Sequence, residues 1–296
     1  VLPVELMYRI AAWIGTVAFF LNAPPRRALI RNLAAALGKP PNSVTVRRAA
    51  RRAFQCDAKN WVDTIRISRL DQNALQQLVD IDGLEHLDRA CAAGRGAVLV
   101  GMHLGNFDLV GQVLALRGYR VTVPVEHMRP ERLFAFIMKM RTSRGIHAVP
   151  IDRAPREMLR ALRAGEMVAV VADRYIAGRA TSVSFFGHQA LLPVAASTLV
   201  KRSGAPLFVG VGVRKANNRF HGHIIPVPDL ESSRERELSD QEIMQRITGV
   251  MESMVQLYPD QWLVFSPVFQ DDVSPETVAT MEKSETDSGA MTGVSR

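Results

Sequence analysis

The stretch Ala97-Val98-Leu99-Val100-Gly101-Met102-His103-Leu104-Gly105-Asn106-Phe107-Asp108 decides how this 296-residue chain reads. Ala97 to Val100 is a short apolar run between Gly96 and Gly101, the pattern of a strand buried on both faces. A histidine follows just beyond that strand's end. A carboxylate comes five residues later, in the first turn of a helix expected from about Asn106 to Leu116. Ligands of open α/β sheets bind at the carboxyl ends of strands. An Asp near a helix N-terminus stays ionised, because the dipole and the free amides favour its charge. If Asp108 accepts the proton on one His103 nitrogen, the other nitrogen is left basic and aimed, as proton abstraction from a hydroxyl requires. Gly101 and Gly105 allow a tight backbone path and close substrate approach. The spacing alone also suits an ordinary loop histidine; the strand–His–Gly–Asn–aromatic–Asp–helix context favours the base.

Outward from this stretch, strand and helix signals alternate. Arg120 to Val125 reads as a strand, Pro130 to Ser143 as a helix and Ile146 to Pro150 as a strand. Pro155 to Gly165 reads as a helix and Met167 to Ala172 as a buried strand. Ser182 to Phe186 follows, then a helix from Pro193 to Lys201 and a hairpin of Leu207 to Arg214 with Phe220 to Val227. A last helix runs from Ser239 to Leu257. The expected fold is α/β, with a mixed, largely parallel sheet flanked by helices. Residues 71–94 read as one or two short helices.

Residues 1–70 read as helical, broken into two parts at Pro40 and Pro41, and carry 12 Lys/Arg against Glu5, Asp57 and Asp63. That balance of 12 − 3 = +9 accounts for the whole net charge of +8, so the remainder is near neutral. The basic quarter sits beside apolar sequence rather than stacking aromatics, so an anionic lipid surface is the expected partner and nucleic acid is not. The apolar run from Ile10 to Leu21 is shorter than the ~18–20 residues that span a bilayer. It suits an interfacial helix bearing Trp13, Phe19 and Phe20, or a buried core helix. Three units follow: a membrane-associating segment over 1–70, an α/β domain over 71–270, and an acidic, Ser/Thr/Gly-rich tail over 271–296 that reads as disordered. Two cysteines, Cys56 and Cys91, build no disulfide framework and suit a reducing compartment.

The wording around His103 and Asp108 resembles the H-x4-D motif of bacterial glycerolipid acyltransferases. It is most similar to the branch holding lipid A lauroyl/myristoyl acyltransferases and phosphatidylinositol mannoside acyltransferases, and leans toward the latter. Arg31-Asn32-Leu33, Arg51-Arg52-Ala53-Phe54, Glu126 with Arg141, Asp173-Arg174, Phe185-Phe186-Gly187 and Pro259-Asp260-Gln261-Trp262 extend the resemblance to about residue 270. It departs at Phe107, Tyr175 and Pro193.

The resemblance implies an enzyme with no cofactor. It would transfer acyl chains from acyl-CoA or acyl carrier protein at the cytoplasmic face of the inner membrane, onto a glycolipid, a lipid A precursor or a lysophospholipid. His103 is then the expected base and Asp108 its orienting carboxylate. Gly105, Asn106, Glu126, Arg141, Asp173 and Arg174 are candidates for binding substrate. A thioester is already activated, so one base and an oxyanion stabiliser suffice. An inactive scaffold of the same fold is the non-enzymatic alternative.

His221 and His223 sit two apart on one strand face. With no third ligand near them in sequence, an exposed strand face is expected and a metal is not. No G-x-S-x-G, G-x-x-x-x-G-K or G-x-G-x-x-G occurs, so neither serine hydrolysis nor nucleotide binding is supported.

Overall fold

A computed structural model describes residues 3–67, 69–125, 129–151, 153–175, 178–230 and 237–272. Glu126 and the expected tail beyond residue 272 lie outside the described residues.

Strands β1 (Val79–Asp82), β2 (Ala97–Gly105), β3 (Val121–Val125), β4 (Ile146–Pro150), β5 (Met167–Val171), β8 (Leu207–Arg214) and β9 (Phe220–Pro226) form one sheet in the order β1-β9-β8-β2-β5-β3-β4. Every pairing is parallel except that of the hairpin β8–β9. A separate antiparallel pair joins β6 (Ala180–Phe185) to β7 (His188–Pro193). The mostly parallel α/β architecture is the one expected.

Ten helices flank the sheets among the described residues: α1 (Val4–Leu21), α2 (Ala23–Leu37), α3 (Val44–Ile67), α4 (Gln72–Leu78), α5 (Leu84–Ala92), α6 (Phe107–Leu116), α7 (Glu131–Ser143), α8 (Ala154–Arg163), α9 (Ala195–Ser203) and α10 (Asp240–Leu257). The N-terminal block makes three helices rather than two. The chain breaks at Asn22, ahead of Pro24 and Pro25, as well as at Pro40 and Pro41, because proline is tolerated only in a helix's first turn. Between residues 71 and 94 the short helices are separated by β1, whose four residues are too few to announce a period.

Alternation along β2 sorts its side chains between two cores. Val98, Val100, Met102 and Leu104 pack with residues of α2, α3, α9 and α10, while Ala97 and Leu99 pack with residues of α4, α5 and α6. His103 therefore stands on the α6 side of the sheet. Gly15 lets α1 lie against α3, since an added Cβ would collide with the Phe54 backbone. Tyr8, Ala11, Gly15 and Phe19 are the buried stripe of α1. Leu6, Ile10, Trp13, Ile14, Phe20 and Leu21 stay exposed. The helix's 18 residues are long and apolar enough to cross a membrane by length and composition.

Candidate active site

β2 and β5 are adjacent and parallel, with Ala97 opposite Met167 and Gly101 opposite Val171. The offset of 70 continues past the paired region, so Asp173 comes to stand beside His103. His103 Nδ1 donates to Asp173 Oδ1 at 2.7 Å, and the His103 backbone N–H donates to Asp173 Oδ2 at 2.8 Å. Trp262 Nε1 adds a third donor to Oδ2 at 3.0 Å. The last turn brings Trp262 there: Leu263 N–H donates to His103 C=O at 2.7 Å, and Leu104 bridges Trp262. Asp173 is fully buried. Burial opposes its charge, but the His103 imidazole and the converging donors outweigh that cost and hold its carboxyl below the usual range. A carboxylate fixed on Nδ1 sets the tautomer and leaves His103 Nε2 as the basic nitrogen.

The structure thus gives the orienting hydrogen bond of His103 to Asp173, where the sequence reading expected it from Asp108. Asp108 Oδ1 instead accepts from Arg141 Nε at 2.7 Å. A carboxylate in the first turn of α6 faces the end of α7, whereas Asp173 reaches His103 along a neighbouring strand. Asp173, expected to hold substrate, is the hydrogen-bond partner of His103.

His103 opens into a pocket lined by Asp57, Asn60, Trp61, Thr64, Asn106, Phe107, Asp108, Ile137, Arg141 and Leu263, a set outside which Arg174 falls. The Phe107 ring meets His103 edge-on, with centroids 5.5 Å apart. Asn106 caps α6, its side chain accepting from Leu109 N–H at 3.1 Å, and so serves the backbone as well as lining the pocket.

Gly105 ends β2 with φ +62°, pressed against Gly212 of β8 so closely that a Cβ would enter the Gly212 carbonyl. Asn60 Nδ2 donates to Gly105 C=O at 2.7 Å, and Arg214 Nη2 donates to Asn60 Oδ1 at 2.7 Å. Arg214 also pairs with buried Asp63, which accepts from Tyr8. This chain of bonds fixes α1 and α3 against the loop that follows His103. No local pattern singles out Arg214, whose position at the end of β8 looks in sequence like any exposed strand end. Trp262 stood within a recognised segment, but only the fold assigns its indole to Asp173.

Phe107, Asp108 and Arg141 also border a second cavity of about 220 Å³. Leu99 and Gly101, on the His103 face of β2, floor it, and Val110, Gly111, Leu114, Val121, Val123 and Ile146 enclose it. An imidazole held by a buried carboxylate beside an apolar cavity is an arrangement able to serve transfer of a long apolar acyl group.

Residues 1–271 match the family model described as bacterial lipid A biosynthesis acyltransferase. The chain is 29% identical over 269 residues to a phosphatidylinositol mannoside acyltransferase of Mycolicibacterium smegmatis, covering 88% of this chain and 84% of that protein. It is 34% identical over 209 residues to proteins of the same name from Mycobacterium tuberculosis strains CDC 1551 and H37Rv, covering 69% of this chain and 66% of each of them.

Proposed function

The chain belongs to the bacterial lipid A biosynthesis acyltransferase family, and from that premise we propose that it moves a fatty acyl chain from acyl-CoA or acyl carrier protein onto a hydroxyl of a mannosylated phosphatidylinositol. It is an acyltransferase; the acceptor is suggested by the names of relatives at 29% and 34% identity. The observation that carries the reading is that Phe107, Asp108 and Arg141 line both the His103 pocket and the adjoining apolar cavity.

Each step follows from those positions. His103 Nε2 removes the proton of the acceptor hydroxyl as its oxygen attacks the thioester carbonyl carbon. Asp173 keeps the ring aimed and stabilises the imidazolium that forms. The tetrahedral intermediate collapses with cleavage of the carbon–sulfur bond, and the departing thiolate takes up the proton held on His103. The acyl tail lies in the cavity floored by Leu99 and Gly101, which places the carbonyl near the imidazole by shape. Asp108, Asn106 and Arg141 line the acceptor side, and Gly105 holds the backbone path; Glu126 and Arg174 are proposed to bind the acceptor as well.

Membrane association is favoured by the exposed apolar face of α1 and by the apolar groove of about 730 Å³ between α1 and α3, lined by Ile10, Ile14, Trp61 and Ile65. Basic residues of the N-terminal quarter would sit against anionic headgroups of the cytoplasmic leaflet.

The test is acyl transfer by the purified protein in mixed vesicles, offering phosphatidylinositol mannoside, a lipid A precursor and a lysophospholipid side by side. Mass spectrometry of the products is expected to find the added acyl chain on a mannosyl hydroxyl. Transfer confined to either of the other acceptors would overturn the assignment of the acceptor.

A further inference from the structure

Asp82 ends β1, and His221 and His223 alternate along β9, its parallel neighbour. The register sets Asp82 opposite His223 and Asp80 opposite His221. Phe220 and Ile224 turn to the α6 side, where they pack with Leu99, so the two histidines occupy the opposite sheet face from His103. The imidazoles stack with centroids 4.4 Å apart and planes 11° from parallel. His221 Nε2 donates to Asp82 Oδ2 at 2.7 Å, across a sequence separation of 139 residues. Asp82 is the third donor that proximity in sequence does not supply. One donor atom from each of the three side chains lies within 4.8 Å of the others.

His223 Nε2 is buried and has no hydrogen-bond partner among the described residues. The nearby cations are matched by a different carboxylate. Lys215 and Arg219 both reach Asp80, at 3.2 and 3.5 Å.

We propose that Asp82, His221 and His223 form a binding site for a divalent transition-metal ion, zinc by the chemistry of its donors. Two imidazoles and one carboxylate suit zinc, with water completing a tetrahedron. Bonds of roughly 2.0–2.2 Å place tetrahedral donors about 3.3 Å apart, so the cluster closes by side-chain rotation. The Asp82 and His221 side chains, 69% and 24% exposed, have room for that movement. The ion replaces the proton shared by His221 and Asp82 and takes up the free nitrogen of His223. It ties the edge strand β1 to β9 of the β8–β9 hairpin.

The experiment uses the full chain, freed of any affinity tag and stripped with a chelator, and titrates it with Co(II). The expected result is the visible absorption of tetrahedral Co(II) saturating at one equivalent, bleached by Zn(II), with a rise in unfolding temperature on metal addition. The double variant His221→Gln/His223→Gln should weaken binding at least tenfold and lose the thermal gain while keeping acyl transfer. Asp82→Asn, altering an exposed side chain, gives the same readout if the double variant does not fold. Absence of both spectrum and thermal gain in the unaltered chain would overturn the proposal. So would an undiminished gain in the variants.

Discussion

Asp108 and Arg141 form an ion pair of 2.7 Å that borders both the His103 pocket and the apolar cavity behind it. Both side chains are about four-fifths buried, with exposures of 24% and 20%, so the pair is screened less than a surface bridge. Arg141→Ala strands the carboxylate there. Stability should fall by ~1–3 kcal/mol and kcat/KM by at least about tenfold. Urea unfolding and steady-state kinetics check this, and unchanged stability would show the pair to be incidental.

Gly111 lines the apolar cavity from α6, and its nearest non-local neighbour for an added Cβ is Ile146 Cδ1 at 3.9 Å. A larger side chain therefore grows into the cavity without striking backbone. Gly111→Leu should shift donor preference toward shorter acyl chains, read as the ratio of kcat/KM across a chain-length series. A chain-length profile identical to that of the unaltered protein would place the acyl tail elsewhere.

Gly105 combines positive φ with close backbone packing on Gly212. Gly105→Ala must shift β2 away from β8 close to His103, at a cost of ~2–4 kcal/mol. Chemical denaturation measures it. A loss below about 1 kcal/mol would mean that the strands part easily.

The sheet was legible because each strand's apolar run and each helix's period are local properties of the chain. The placement of His103 and Asp108 on one strand-to-helix turn is local for the same reason, though their expected pairing is not what the structure shows. What local pattern does not carry is which strands are neighbours. Asp173 meets His103 only because β5 lies beside β2, and Asp82 meets His221 only because β1 lies beside β9. Trp262 and Arg214 likewise gain their roles from segments that return across long separations. β1 is not legible because four residues give a period too little room, and β7 because it ends at Pro193, which reads as a helix start.

Asp57 lies between the apolar groove and the His103 pocket, and burial lifts its carboxyl to about 6 despite a hydrogen bond from Trp61 that works the other way. A raised carboxylate pKa makes the folded protein bind the proton more tightly than the unfolded chain. The charge therefore costs nothing below about pH 4 and its full penalty above pH 6. Asp57→Asn should gain ~1–2 kcal/mol at pH 7.5, allowing for water screening of a half-buried group, and nothing at pH 4. Unfolding curves at the two pH values test it; an equal gain at both would remove titration as the cause.

The most direct measurement is a double-mutant cycle in kcat on His103→Ala, Asp173→Asn and their combination, each verified as folded. A positioning carboxylate predicts that Asp173→Asn alone lowers kcat by ~10²–10⁴-fold with little change in KM, and that adding it to His103→Ala costs nothing further. Asp173→Asn turning over within a few-fold of the unaltered enzyme, or losses that simply multiply, would contradict it.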